Sequence, residues 1–228
     1  MEIRLASGSP RRYELLRQMD WKVQVCPADF DEVKTIAQAA VRTSSAELAE
    51  LFGAPPGVQV SADPVPDCVR KREGADLVCV YNAWGKGLAA ARQQGDEAPV
   101  VAADTVVVLD GEILGKPADA ADAVRMLEKL SGRDHEVKTG VAVFYKDRFR
   151  TAVVTTKVRF RRLTAEEISW YVGTGEPLDK AGGYGIQGKG AIFVESIEGA
   201  YDNVVGLPRT CLYRMFSEMG VMLVDLEN

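Results

Sequence analysis

Apolar residues recur along this chain with the period of a strand in some stretches and of a helix in others, and the changes between the two outline its elements. Residues 3–6 read as a strand, followed by the turn SGSP. A helix opens there, with Ser9 as N-cap, Pro10 in the first helical position and Leu15, Leu16 and Met19 as its apolar stripe. Residues 23–27 form a second short strand. Residues 100–109 (VVAADTVVVL) are β-rich, and Asp110-Gly111 is a hairpin signal into a strand over 112–114. Residues 120–130 place Val124, Leu127 and Leu130 on one helical face and stop at Ser131-Gly132. Two long strands follow over 136–145 and 149–163, joined by a polar turn at 146–148. Thr164-Ala-Glu-Glu167 is a capping box that opens a helix through Tyr171 and Val172. The chain closes with a helix over 208–219, Gly220 as its cap, and a strand over 221–226. This alternation, with two antiparallel hairpins inside it, specifies an α/β domain built on a mixed sheet.

Residues 34–67 break the alternation. They carry Ala, Ser, Pro and Gly and one short helix candidate, with Ser44 as N-cap and Glu47, Leu48, Leu51 and Phe52 behind it. They end in APPG and ADPVPD, and these Pro-rich stretches mark an inserted surface segment in a single domain spanning 1–228.

Residues 183–208 (GYGIQGKGAIFVESIEGAYDNVVGLP) form the most informative stretch. Glycines at 183, 185, 188 and 190 allow positive φ and close backbone approach, as in a loop that wraps a small charged ligand. Ile186, Ile192, Phe193 and Val194 argue for packing rather than a flexible linker. Gly183 to Lys189 has the G-x-x-x-x-G-K spacing of a P-loop. Gly190 nevertheless replaces the magnesium-binding Ser/Thr, and PLDKAG precedes it in place of a buried strand. It is not a Walker A motif.

Composition narrows the class. With 46% hydrophobic and 27% charged residues, the 228-residue chain reads as a soluble globular protein. No apolar run approaches the ~18 residues of a membrane span. The opening MEIRLASGSPRR lacks the basic-then-apolar form of a signal peptide. Cys26, Cys68, Cys79 and Cys211 form no C-x-x-C pair, so free thiols in a reducing cytoplasm are expected rather than a zinc site. A net charge of −5 argues against a nucleic-acid surface, while allowing one polyanion in a local basic pocket. The lone His135 is assigned a surface or structural role, so the chemistry must run without a certain histidine base.

Arg11 and Arg12 lie in the first turn of the first helix, where cations oppose the helix dipole. They make sense if an anion sits among them and the free N–H groups, the plain alternative being two solvated arginines. Asp104 interrupts an apolar strand and must be paired or face a wet cleft, or else be a strand-edge Asp satisfied by nearby amides. Lys116, in the GKP turn, could fold back toward Asp104. Asp31-Glu32 is an acidic pair that surface solvation alone would explain, and Lys86 sits oddly between glycines in NAWGKGLAAA. Together, Arg11, Arg12, Lys86 and Lys116 supply positive charge, while Glu32 and Asp104 supply hard oxygen ligands. That inventory suits a divalent cation with a polyphosphate.

With these residues in place, the chain resembles the Maf family of nucleoside triphosphate pyrophosphatases. The motifs are LASGSPRRYELL (5–16), DFDE (29–32), AADTVV (102–107), GKP (115–117), LSGRDHEVKTG (130–140) and 176–208, in family order over nearly the whole chain. The resemblance implies a mixed twisted sheet flanked by helices, akin to inosine-triphosphatase-like enzymes, with a cleft, and often a homodimer. It implies hydrolysis of a nucleoside triphosphate to monophosphate and pyrophosphate with a divalent cation (Mg²⁺, Mn²⁺ or Co²⁺). By motif position Asp104 matches the proposed general base, and Arg11, Thr105 and Gln187 match specificity positions. Ser7, Arg12, Glu32, Lys86 and Lys116 match the other polar site residues. The segment 34–67 and the glycines around Lys86 depart from the family pattern. The form EPLDKAGGYGIQGKG resembles the group acting on dTTP, UTP and modified pyrimidine triphosphates, not the one acting on 7-methyl-GTP.

The mechanism this implies is attack of water on the α-phosphorus. Glu32 and Asp104 hold the metal, Asp104 activates the water, and Arg11, Arg12, Lys86 and Lys116 offset phosphate charge. The rival is a nucleotide-binding regulator of cell division with no significant turnover, for which 34–67 would be the partner surface.

Overall fold

A computed structural model describes residues 1–44, 65–95 and 97–226. Seven strands form one sheet: β1 (Glu2–Leu5), β2 (Lys22–Val25), β3 (Val100–Leu109), β4 (Glu112–Leu114), β5 (Asp134–Tyr145), β6 (Arg148–Phe160) and β7 (Val194–Glu198). Their order is β2-β1-β3-β5-β6-β7, with β4 paired to β3. β1 runs parallel to β2 and β3, while β4 and β7 pair antiparallel with β3 and β6, so the sheet is mixed. β3 is nearly continuous apolar sequence because almost every residue in it is buried, whichever face it points to.

The helices are α1 (Pro10–Arg17), α2 (Ile36–Ser44), α3 (Asp67–Arg70), α4 (Gly74–Gln94), α5 (Ala120–Leu130), α6 (Ala165–Gly173), α7 (Tyr201–Val205), α8 (Arg209–Glu218) and α9 (Leu223–Leu226). The 3₁₀ turns Glu176–Asp179, Ala181–Gly183 and Lys189–Phe193 join α6 to β7. The chain divides into two compact units. The first comprises 1–104, 139–154 and 206–228; the second, 105–138 and 155–205. Among the first unit's fully buried residues are Ile3, Leu5 and Leu16, and Trp21 meets Phe216 edge-on at 5.8 Å. In the second, Leu127, Val158, Phe160, Tyr171, Tyr184 and Phe193 belong to one core cluster.

Most elements fall where the sequence places them, and several differ for physical reasons. Ser9 occupies the N-cap of α1, but its side chain makes no capping bond. Met19 lies past the end of α1 and is largely exposed. The second long strand stops at Phe160 because Arg161 N–H turns to Phe193 O and Leu163 N–H to Ser131 Oγ, which ends the ladder. Residues 221–226 are not a strand: the Asp225 carboxylate accepts Met222 N–H at 3.0 Å and closes a helical turn instead. In the 3₁₀ turn Lys189–Phe193, Phe193 is buried whereas Ile192 points outward, so Ile192 does not pack as expected.

The long helix α4 has no counterpart in the sequence reading. It is buried over most of its circumference, so no stripe of polar residues sets its period. Within 34–67, α2 begins at Ile36 with Ala39 fully buried, and Val65 is buried too. The helix expected to open at Ser44 lies outside the described residues.

Candidate active site

The first part of the site is built where β1 runs into α1. Ala6 N–H continues the pairing with β3 by donating to Val101 O at 2.8 Å, and the chain then turns through Ser7-Gly8-Ser9. The Ser7 hydroxyl is buried and accepts from Ser9 N–H at 3.2 Å and from Arg12 Nη1 at 3.1 Å. Arg12 Nε donates to Gly206 O at 2.8 Å, which fixes the guanidinium across the first turn of the helix. Burial pulls Arg12 below its ordinary value; the nearby negative charges of Asp104 and Glu32 oppose this, and Arg11 adds to it. No acidic residue occupies that first turn. An arginine held among carboxylates at a helix N-terminus is therefore preset for an anion.

The second part stands on α4. Asn82 and Lys86 are one turn apart, on the same face. Lys86 Nζ donates to Glu32 Oε1 at 3.0 Å and to Asp104 Oδ1 at 2.8 Å. The exposures of these side chains decide their roles: Lys86 is 10% exposed and Asp104 13%, whereas Glu32 is 50% exposed. A buried ammonium is tolerated only when paired, and here two carboxylates pair it. The flanking glycines explain its position, because a Cβ on Gly85 would strike the Phe30 ring and one on Gly87 the Phe144 ring. The two glycines thus let the helix backbone on either side of Lys86 approach the two rings closely. Asn82, which the sequence reading did not single out, donates to Asp104 Oδ2 at 3.1 Å. It also exchanges two bonds with the backbone of Val33, each 2.9 Å. An Asn one helical turn before a buried Lys is the signal that could have revealed it. Asp31 pairs with Arg42 of α2 and stays outside this cluster.

Among the described residues no group of three or more His, Cys, Asp or Glu side chains gathers to hold a metal. Two carboxylates, one of them open to solvent, nevertheless fit a hard divalent ion of the Mg²⁺ kind, which takes one or two carboxylates and completes its shell with water and phosphate oxygens.

The remaining site residues of the sequence reading, Thr105, Lys116 and Gln187, belong to the second unit. Lys116 is exposed beyond β4. Within its own unit Asp104 meets a cation in Lys86. Gln187 is exposed on the glycine-rich loop, whose backbone is clamped from behind. Tyr171 OH accepts Gly185 N–H at 3.0 Å and donates to Glu176 Oε1 at 3.0 Å, and Glu176 Oε2 accepts Lys189 N–H at 3.1 Å. A side chain at Gly188 would collide with the Glu176 carboxylate and one at Gly190 with Tyr171 OH, so these glycines serve the clamp. Burial pushes the Tyr171 hydroxyl well above its ordinary range, which keeps it a neutral donor. Lys180 Nζ donates to Glu176 O at 2.7 Å.

His135 is buried, not at the surface, and its role is structural. Its Nε2 and Tyr184 OH share a 2.8 Å hydrogen bond, and its ring meets Phe160 and Tyr184 edge-on. Burial lowers its pKa to about 4, against a smaller opposing effect of Asp134, so it is neutral near pH 7. None of the four cysteines forms a disulfide, and no helix among the described residues is long and apolar enough to cross a membrane.

Comparison with known proteins places these features in a family. The family model described as Maf-like protein matches residues 2–219. A dTTP/UTP pyrophosphatase of Symbiobacterium thermophilum is 43% identical over 216 residues, covering 95% of this chain and 93% of that protein. One of Shigella dysenteriae is 39% identical over 218 residues (96% and 93%), and one of Myxococcus xanthus 45% over 204 (90% and 85%). Among solved structures, a HAM1 protein from Coxiella burnetii is 17% identical at a TM-score of 0.40, over 84% of this chain and 91% of that one, a likeness too slight to argue from. With a match from the second residue to the end of α8 and relatives this similar over nearly their whole length, this chain belongs to the Maf-like protein family.

Proposed function

We propose that this protein hydrolyses dTTP, UTP or a modified pyrimidine triphosphate to the monophosphate and pyrophosphate, with a divalent cation. The observation that carries the reading is the Glu32–Lys86–Asp104 cluster, closed around Asp104 and open at Glu32, in a chain 39–45% identical to relatives named dTTP/UTP pyrophosphatase. Glu32 and Asp104 would hold Mg²⁺, Mn²⁺ or Co²⁺, which when bound supplies charge neutralisation and a more acidic water. Asp104 orients the attacking water and takes its proton as it adds to the α-phosphorus. Lys86 bridges both carboxylates and holds them in place as the phosphates approach. Arg12, braced by Ser7 and Gly206, and Arg11 beside it offset charge on the phosphate oxygens, and Lys116 adds a further cation for the leaving pyrophosphate. Thr105 and Gln187 are assigned to substrate selection. Gln187 can donate and accept, which suits the edge of a uracil or thymine ring.

Four thiols without a disulfide support a cytoplasmic setting, and net charge −5 supports a small anionic substrate over nucleic acid. Homodimer assembly is proposed from family membership. The test is a panel of nucleoside triphosphates assayed for pyrophosphate with Mg²⁺, Mn²⁺ and Co²⁺. The reading expects dTTP and UTP to be turned over well ahead of ATP and GTP. Preference for 7-methyl-GTP would overturn the substrate assignment, and tight binding without product would favour a nucleotide-sensing regulator.

A further inference from the structure

The polar groups around Asp104 include one that does more than fill space. Asn82 is 2% exposed, and both protons of its amide nitrogen and its carbonyl oxygen are engaged. Two of these bonds grip Val33 as a neighbouring strand would: Val33 N–H donates to Asn82 Oδ1 and Asn82 Nδ2 donates to Val33 O, each at 2.9 Å. The third runs from Nδ2 to Asp104 Oδ2 at 3.1 Å. Val33 directly follows Glu32, and the preceding loop carries Phe30, whose ring lies where Gly85 leaves room for it. One amide on a rigid helix therefore reaches both carboxylates: Asp104 directly, and Glu32 through the backbone of the next residue. Lys86, one turn further along the same helix, supplies the charge between them.

We propose that Asn82 is the positioning residue of this site, setting the spacing of Glu32 and Asp104 so that they can share a divalent cation brought in with the substrate. A helix is a firm base for this. The Glu32 loop has no ladder of its own, because β2 ends at Val25 and α2 starts only at Ile36. Partners of metal ligands that orient them from behind are typically worth about 10–100-fold in affinity or turnover. The inference rests on the metal assignment made above to Glu32 and Asp104.

The test uses the full chain with two variants, Asn82→Ala and the isosteric Asn82→Asp. Asn82→Asp keeps the acceptor for Val33 N–H and loses both donated bonds. Turnover of dTTP is measured together with calorimetric binding of the non-hydrolysable α,β-imido analogue of dTTP, with and without Mn²⁺. In a folded variant, kcat should fall at least ~10-fold while metal-free binding of the analogue stays within ~3-fold, and the tightening produced by Mn²⁺ should shrink ~10-fold. A folded variant with unchanged kcat and unchanged Mn²⁺ tightening would overturn the proposal. Equal losses in kcat and in metal-free binding would also overturn it, since they would mark a general structural role. Should the unmodified protein release no pyrophosphate, the functional reading fails, and the Mn²⁺ titration still decides the role of Asn82.

Discussion

Lys86 and His135 are both deeply buried, one in each unit, and their surroundings treat them in opposite ways. Lys86 is held by Glu32 and Asp104, and Asn82 fixes the same Asp104 carboxylate. His135 is stripped of its charge by burial and set against Tyr184 as a neutral ring. The difference lies in what each region must present. The first unit offers a charged cluster whose cation is buried and which is open at Glu32. The second offers a loop with Gln187 at its surface, and its buried polar groups serve to hold glycine-rich backbone in one shape. Tyr171 and Glu176 are the means of that hold, while His135 and Tyr184 pair with each other in the core.

The largest effect is expected at Asp104. Asp104→Asn preserves shape and removes the charge, and should lower turnover at least ~100-fold with the fold intact, as for loss of a general base. Steady-state kinetics beside circular dichroism checks this, and near-normal turnover would shift the base to Glu32.

The contrast with His135 can be tested through pH. Its pKa is about 4 in the folded chain, against an ordinary value of 6.5, so the unfolded chain binds the extra proton first as pH falls. Stability from this group is complete above about pH 6.5 and is lost as pH falls toward about 4, a change on the order of 3 kcal/mol. Denaturant titrations at pH 7 and pH 4.5 should show that His135→Gln, which is neutral at both, has lost this part of the acid sensitivity. An identical pH dependence in the two proteins would mean that His135 is not held neutral.

How much of this was legible in the sequence depended on whether an element carries a local signal. The β3–β4 hairpin shows itself by a run of β-branched residues ended at Asp110-Gly111, α5 by an apolar face at helical spacing, and α6 by its capping box. Helix α4 is apolar nearly all round and did not, although it carries Lys86. Asn82 was missed for the same reason, since its partners lie 49 and 22 residues away and no local pattern announces them. Residues 221–226 illustrate a third case, a short apolar run that fits either element until Asp225 caps it as a helix. The cations and carboxylates were legible as chemical types, but the pairing of Lys86 with Asp104, 18 residues apart, was not.

A smaller effect is expected at the loop. Gln187→Ala should cut the preference for dTTP over ATP by ~10-fold and leave kcat for the better substrate within a few-fold, because it removes a reader of the base and no charge. An unchanged preference would place selection elsewhere.

The smallest effect is expected from the segment of 34–67 that departs from the family. Its two ends are tied in, through Ala39 and Val65 in the core and through Arg42 on Asp31, so excising the whole stretch would disturb the Glu32 loop. Replacing only residues 46–63 with a short Gly/Ser link should leave turnover within ~2-fold, since closure entropy varies slowly with loop length. A folded but inactive excision protein would show that this segment completes the active site.

The central claim is that water attacks the α-phosphorus, and isotope labelling tests it most directly. Hydrolysis of dTTP in ¹⁸O-enriched water, followed by mass spectrometry of the products, should place the label in the monophosphate and leave the pyrophosphate unlabelled. Label recovered in pyrophosphate, or a diphosphate product with labelled orthophosphate, would contradict the account.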